Sequence, residues 1–228
     1  VNDMIIERRS ATSAGTTAAA WIAAGVNTPG HGINTCETFD GTCWATSNSL
    51  NTYRQSAGGF GNGSTTGIVC GPAVESFDGT NWTTVNSLNT PRGQSCAGGP
   101  VTAGIIACGD PAKSNVETYD GTCWTAVNNC LVGRLGPGGM GSYTDLVVSG
   151  GLVEPSTYYG NTETWDGTCF SEGSNLSLAR NVVQGCGGPS TAGLVFGGKY
   201  QPTGSAEFTN QTEEWNAPSY VTKTITSS

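Results

Sequence analysis

Histidine, charge and long apolar runs are scarce in this 228-residue chain. Its one histidine is His31, and a single imidazole supplies neither a set of copper ligands nor a Ser/His/Asp triad that the spacing supports. The longest apolar run, residues 18–24, is far shorter than the roughly 20 residues that cross a bilayer. Only 11% of residues are charged and the net charge is −8, which does not suit a phosphate backbone. We therefore expect neither nucleic-acid binding nor membrane insertion.

The nine cysteines form no C-x-x-C pair and no Cys/His cluster, so we expect no metal site and no cofactor. Cys43, Cys123 and Cys169 share one position of a repeat, and we expect them to lie too far apart to pair. Disulfides among the other cysteines would suit an extracellular particle. Their connectivity stays open. No signal peptide is visible, and since the sequence begins at Val1 a leader or upstream domain could precede it.

Glycine is abundant, with 35 residues, and one eight-residue stretch occurs five times. Its clearest form is Glu-Thr-Tyr-Asp-Gly-Thr-Cys-Trp at residues 117–124. Polar and apolar residues alternate up to an aromatic, Asp-Gly follows, and a second aromatic resumes the pattern. This predicts a β-hairpin with Asp and Gly as the two turn residues. The counterparts are residues 37–44, 75–82, 163–170 and 213–220, the last with Asn216-Ala217 in place of Asp-Gly.

An arginine marks the start of each repeat, and a glycine follows it after seven and again after 17 residues. An apolar segment lies between those two glycines, which predicts a buried strand. The repeated glutamate precedes the next arginine by 17 residues each time. Two blocks of constant length therefore alternate, each long enough for two strands of about five or six residues. The arginines are Arg8, Arg54, Arg92, Arg134 and Arg180, and the glutamates are Glu37, Glu75, Glu117, Glu163 and Glu213.

All variation in length falls between the second glycine and the glutamate, where the separation is 12, 4, 8, 12 and 16 residues in successive repeats. Surface loops tolerate such insertions because lengthening an exposed loop costs little entropy. We therefore expect four strands per repeat to form a rigid frame, with loops of unequal length on one face.

A repeat of about 45 residues with four strands is typical of a propeller blade. We predict an all-β fold, a single five-bladed β-propeller over residues 1–228, with blades at about 8–53, 54–91, 92–133, 134–179 and 180–228. Small residues in the innermost strands fit the crowded axis of a propeller with few blades. We expect residues 1–7 to lie beside the C-terminal strand. A larger ring completed by another chain is the alternative.

The repeat resembles the kelch repeat over essentially the whole chain. The resemblance rests on Arg92, Gly109, Glu117, Tyr119, Asp120, Gly121, Trp124 and their counterparts. The chain departs from the family because a second glycine follows only at Gly150-Gly151 and Gly197-Gly198. The motif Glu-Thr-x-Asp-Gly-Thr-x-Trp resembles kelch-like repeats in structural proteins of environmental bacteriophages. This narrower resemblance implies a virion component, such as part of a tail fibre or a surface decoration.

The repeated arginines have two interpretations. They could form a ring at one mouth of the propeller channel and hold a carboxylate or sulfate. Alternatively each pairs with the repeated glutamate of its blade, and we favour this structural interpretation because repeated polar residues often serve contacts between repeats.

The repeated aspartates Asp40, Asp78, Asp120 and Asp166 could suggest calcium binding or general acid catalysis. A hairpin turn explains them without either function. Asp145 and Glu172 break the repeat, but their phase places them within a blade rather than in a shared pocket. We therefore expect no catalytic residues and no enzyme.

Aromatic residues that recur at a fixed phase, such as Phe39 and Trp44, are best explained by packing between blades. Those that do not recur are better candidates for binding, because exposed aromatics on loops of a rigid scaffold often serve recognition. Packing of the loops on their own blade is an equal alternative. The candidates on the variable-loop face are His31, Tyr158, Tyr159, Lys199, Tyr200 and Phe208.

Together these features predict a non-enzymatic propeller, extracellular or on a virion, that serves attachment or assembly. Its partners would be other virion or surface proteins. The alternative is a lectin that binds cell-surface glycans through equivalent pockets between blades. A multivalent lectin should repeat its pocket residues, whereas here the loops vary most, which favours the first interpretation. The oligomeric state is left open.

Overall fold

The computed structural model describes residues 2–153, 156–187, 192–201, 205–216 and 223–225. Over these ranges the chain is all-β and contains no helix, so no helix among them could span a membrane. Five four-stranded antiparallel sheets form the blades of a five-bladed β-propeller, which confirms the predicted fold class.

The first three blades each use four consecutive strands. Blade 1 contains β1 (Thr12–Gly15), β2 (Ala20–Ala23), β3 (Cys36–Phe39) and β4 (Trp44–Ser47). Blade 2 contains β5 (Gly58–Phe60), β6 (Gly67–Cys70), β7 (Val74–Phe77) and β8 (Trp82–Val85). Blade 3 contains β9 (Cys96–Gly98), β10 (Gly104–Ala107), β11 (Val116–Tyr119) and β12 (Trp124–Val127).

The last two blades each carry a small extra hairpin between their second and third strands. Blade 4 is formed by β13 (Gly138–Ser142) and β14 (Asp145–Ser149), then the hairpin β15 (Leu152–Val153) and β16 (Thr157–Tyr158), then β17 (Thr162–Trp165) and β18 (Phe170–Glu172). Blade 5 is formed by β19 (Gln184–Gly187) and β20 (Ala192–Phe196), then the hairpin β21 (Lys199–Tyr200) and β22 (Glu207–Phe208), then β23 (Thr212–Asn216) and β24 (Lys223–Ile225).

The second strands explain the apolar segments of the sequence. All four residues of β6 and of β10 are buried, because both faces of these strands are covered. The third strands alternate less strictly, since the repeated glutamate in them is buried together with its apolar neighbours. A strand occurs between the two repeated glycines in all five blades, which confirms the five predicted apolar strands.

The chain divides into two compact units. The first consists of residues 1–93, 99–104 and 119–125, and the second of residues 94–98, 105–118 and 126–228. In the first unit Trp21 is buried against Val69 and Phe77, and its ring meets that of Trp82 edge-on at 5.5 Å. Gly67 makes room for this ring, because a Cβ there would lie 2.5 Å from Trp21 ring atoms. In the second unit one core cluster contains Leu146 and Trp165, and another contains Val147 and Trp215. The recurring tryptophans Trp165 and Trp215 therefore lie in the core.

The repeated turn differs from the prediction by one position. Phe39 pairs with Trp44, and the Asp40 N–H bonds the Cys43 carbonyl at 3.3 Å, so the two central residues are Gly41 and Thr42 rather than Asp40 and Gly41. Gly41 takes the positive φ of +93°. Asp40 precedes it because its carboxylate can accept backbone N–H groups across the turn.

Two parts of the prediction fall partly outside the described residues. Both belong to the predicted hairpin of the last blade. Its Asn216-Ala217 turn is described only as far as Asn216, and its second aromatic, Tyr220, is not described. Val1 also lies outside them, and the expected packing of residues 1–7 beside the C-terminal strand stays a prediction.

Candidate binding surface

The repeated arginines and glutamates lie inside the blades. Arg8 and Glu37 are 2.5 Å apart, Arg180 and Glu213 are 3.0 Å apart, and the pairs Arg54–Glu75 and Arg134–Glu163 are also in contact. Arg92 and Glu117 are buried as well.

The surroundings of Arg134 show how such a pair is used. Its Nη1 donates to the carbonyl oxygens of Gly150 at 3.2 Å and Asn161 at 2.8 Å, and the partner carboxylate, that of Glu163, accepts the Leu131 N–H at 2.7 Å. These partners are all within the blade or in the segment that enters it. A solvent anion has no access to a guanidinium buried in this way, so the geometry supports the structural interpretation.

The repeated aspartates are used by their own turns. Asp40 Oδ1 accepts the N–H groups of Cys43 and Thr42, both at 2.8 Å, and the same bonds recur at Asp78, Asp120 and Asp166. These backbone bonds lower the pKa of each carboxyl below its ordinary value. Among the described residues no group of three His, Cys, Asp or Glu side chains could hold a metal ion.

The six candidate binding residues are distributed over both units. His31 lies in the first unit, in the loop of blade 1, where its N–H donates to Asn27 Oδ1 at 3.1 Å and its side chain is exposed. The other five lie in the second unit, on or next to the two extra hairpins. The long variable loops of blades 4 and 5 therefore contain ordered β-structure.

The β15–β16 hairpin is attached closely to its blade. Leu152 pairs with Tyr158 within the hairpin and forms a bridge to Leu135 outside it. The Tyr159 N–H bonds the Gly151 carbonyl at 2.9 Å, and its ring lies against the Arg134 guanidinium, 5.2 Å from the centroid. Tyr158 and Tyr159 are both half-buried. For Tyr159 the structure shows packing on its own blade.

In the β21–β22 hairpin the side chains of β22 are exposed to solvent, and those of β21 are half-buried. Phe208 lies opposite Lys199 and is 81% exposed, with the Lys199 Nζ 6.0 Å from the centre of its ring. Tyr200 lies opposite Glu207, and its hydroxyl donates to Glu207 Oε2 at 3.2 Å. Acceptance of that hydrogen bond by the carboxylate raises the pKa of Tyr200.

Both hairpins are anchored to the same two-residue segment. The Arg180 N–H donates to the Tyr159 carbonyl at 3.2 Å, and the next residue, Asn181, exchanges two backbone hydrogen bonds of 2.8 Å with Lys199. The two hairpins thus flank residues 180–181. We call the side chains on and next to the two hairpins the hairpin surface: Tyr158, Tyr159, Lys199, Tyr200, Glu207 and Phe208.

Sequence reasoning missed two residues that the structure makes prominent. Glu207 pairs with Tyr200, and the intervening sequence contains Pro202 and Gly204, which are frequent in hairpin connections. Tyr53, in the first unit, is 70% exposed. Its signal was that the residue before the repeated arginine is aromatic in this one repeat.

Comparison of the sequence with protein-family models and with curated proteins finds no match. The β-propeller fold and the geometry of the hairpin surface are therefore the grounds on which a function is proposed.

Proposed function

We propose that this chain is a non-enzymatic propeller, extracellular or on a virion, that serves attachment or assembly, and that the hairpin surface is its contact. The observation that carries the proposal is Phe208, a large apolar side chain 81% exposed on a hairpin whose base is hydrogen-bonded to the blade. Exposing such a side chain costs hydrophobic free energy that a partner can recover.

The chemistry around Phe208 suits recognition of a protein surface. An aromatic ring with a cation on one side and a Tyr–Glu pair next to it combines apolar area with directional polar groups. The strands β21 and β22 are already paired with each other, so their binding to a partner would lose little conformational entropy.

The resemblance of the repeats to kelch-like repeats of bacteriophage structural proteins supports the virion version of the proposal. Its partners would then be other virion proteins or proteins of the host surface. The proposal has no enzymatic step because the repeated arginines, glutamates and aspartates are engaged by the blades themselves.

A lectin with repeated pockets between blades is less well supported. The recurring asparagines after the fourth strands donate to the turn of the next blade, as Asn86 does to the Thr122 carbonyl and Asn128 to the Thr168 carbonyl, both at 2.8 Å. Amides used in this way are not free to bind a sugar. Glycan binding is therefore kept as an alternative outcome, which the experiments below distinguish from binding to a protein.

The decisive experiment compares two exposed aromatics. Fluorescently labelled protein is incubated with purified bacteriophage particles and with bacterial cells, and retention is measured. We expect Phe208→Ala to reduce retention at least fivefold and Tyr53→Ala, the matched control on the other unit, to leave it unchanged. Equal retention of both variants and the wild type would remove the hairpin surface from the proposal.

A glycan array and immunogold electron microscopy divide the remaining possibilities. An antibody to the chain should label virus particles if the chain is a virion component. Specific binding to one class of glycan, insensitive to Phe208→Ala, would instead support the lectin.

A further inference from the structure

Two buried cysteines of blade 3 face each other. Cys108 follows β10 and Cys130 follows β12, and they are 0% and 4% exposed. Their Sγ atoms are 3.2 Å apart. Both main chains are fixed by one short segment, because the Cys108 N–H donates to the Asn115 carbonyl at 3.0 Å and the Cys130 N–H to the Ser114 carbonyl at 2.9 Å.

The two equivalent positions also approach each other in another blade. In blade 4 they are occupied by Gly150 and Leu176, whose N–H groups donate to the equivalent carbonyls of Asn161 and Gly160 at 3.1 and 2.8 Å. A Cβ on Gly150 would lie 3.2 Å from Leu176 Cδ1. The approach of Cys108 to Cys130 is therefore a property of the blade, not of these two side chains alone.

Cysteine stands at both positions in blade 3 alone. The equivalent residues are Ala24 and Leu50 in blade 1 and Cys70 and Leu88 in blade 2. An alanine–leucine pair thus fills the place in blade 1, with its N–H groups on the carbonyls of Thr35 and Asn34. Packing does not require sulfur at either position.

The environment suits a disulfide. Cys108 and Cys130 belong to an apolar cluster with Ile105, Val116 and Leu146. Moving the two sulfurs from their present separation to the roughly 2.05 Å of a disulfide needs a displacement of about 1.2 Å shared between them.

We propose that Cys108 and Cys130 are a modification site at which a low-molecular-weight disulfide oxidises the pair to an intrachain disulfide. One cysteine thiolate attacks the reagent disulfide and forms a mixed disulfide, with release of one small thiol. The second cysteine thiolate attacks the protein sulfur of that mixed disulfide and releases a second small thiol. The two cysteine protons are taken up by the two leaving thiolates, and the two electrons pass to the reagent.

The surroundings of the pair affect the rate of this reaction. The contact with Cys108, together with burial, raises the pKa of Cys130, so the folded chain holds little of the reactive thiolate there. Burial and the raised pKa therefore both slow oxidation of the folded chain, so the pair is best oxidised during refolding. The bond joins residues 22 positions apart in the sequence and is protected from reductants by burial, whatever partner the propeller has.

The test uses a chain in which the exposed and half-buried cysteines Cys43, Cys123, Cys169 and Cys186 are replaced by serine, leaving five buried cysteines. This chain is refolded with oxidised and reduced glutathione, alkylated under denaturing conditions and mapped by mass spectrometry. We expect three alkylated cysteines and one peptide pair, joined through Cys108 and Cys130, that is two hydrogens lighter than the reduced peptides. The midpoint of thermal unfolding should rise by roughly 5 to 10 °C relative to the reduced chain.

A matched control is Cys108→Ala combined with Cys130→Leu, which installs the pair found in blade 1. It should fold and show the same unfolding midpoint with and without reductant, while Cys70→Ala should retain the full difference. Five alkylated cysteines in the oxidised chain, or a bond between other cysteines, would overturn the proposal. The peptide map of the chain that retains Cys108 and Cys130 tests the proposal even if the control variant does not fold.

Discussion

The Arg134 guanidinium lies against the ring of Tyr159, with its Cζ 5.2 Å from the ring centroid. The same guanidinium pairs with Glu163 in the blade. Tyr159 therefore connects a loop of variable length to an ion pair that recurs through the chain.

Loss of this ring should destabilise the protein. We expect Tyr159→Ala to lower the free energy of unfolding by about 1 kcal/mol, because a cation–π contact and its packing are removed. Tyr159→Phe keeps the ring and should be close to neutral. Urea unfolding, followed by tryptophan fluorescence, measures both; a Phe variant as unstable as the Ala variant would assign the effect to the hydroxyl.

Removal of one member of the buried ion pair should cost more. Arg134→Ala leaves the Glu163 carboxylate buried without its cation, and we expect a loss of about 3–5 kcal/mol. Arg134→Met combined with Glu163→Leu should cost less than the sum of Arg134→Met and Glu163→Leu made singly, since the double variant leaves neither charge alone. A double-mutant cycle by urea unfolding gives the coupling, and strict additivity would contradict it.

Gly67 should tolerate no side chain, although its φ is not in the left-handed region. A Cβ there would lie 2.5 Å from the Trp21 ring, so Gly67→Ala must displace a fully buried indole. We expect a loss of about 1–3 kcal/mol and a shift in tryptophan emission. The matched control is Gly32→Ala, where a Cβ meets nothing within 4 Å; the two variants should differ clearly in urea unfolding.

Acid should weaken the turns. The carboxyls of Asp40, Asp78, Asp120 and Asp166 have a lower pKa folded than unfolded, so their stabilising effect is complete above about pH 4 and is lost as pH falls through the folded pKa. A chain with all four changed to asparagine should show a flatter dependence of its unfolding midpoint on pH between about 5 and 2.

The comparison for this experiment is Asp3→Asn, which lies outside the turns. Thermal unfolding over the same range should give it the slope of the wild type. If the fourfold variant kept that slope as well, the turns would not be the source of the acid sensitivity.

The four-stranded blades of this protein could be predicted because the same sequence pattern occurs in every repeat. The apolar second strands and the aromatic pairs of the hairpins occur at constant spacing, and averaging over five copies removes the ambiguity of any one short strand. The shift in the turn shows the limit of that method. Asp-Gly is a frequent hairpin pair, but in this turn the Asp40 carboxylate accepts N–H groups from Thr42 and Cys43, which places Asp40 before the two central residues.

The hairpin surface could be predicted in part. All of its residues except Glu207 were found because they do not recur, but that criterion cannot distinguish Tyr159, held by Arg134, from Phe208, directed into solvent. The distinction depends on contacts with residues distant in sequence. The approach of Cys108 to Cys130 was hidden for the same reason: they stand in different parts of the repeat, and only the pairing of strands brings them together.

The hydrogen bond between the Leu131 N–H and Glu163 has a consequence for how such a chain can grow by duplication. Its counterparts join Ile5 to Glu37, Asn51 to Glu75 and Ser177 to Glu213, so in blades 1, 2, 4 and 5 the glutamate binds a residue three positions before the arginine of its own blade. Recombination at the arginine would separate this donor from its glutamate, whereas a breakpoint a few residues upstream would transfer both together. The segment that is duplicated as a unit therefore begins a few residues before the repeated arginine. The same segment is the one to transplant in building a propeller of different size.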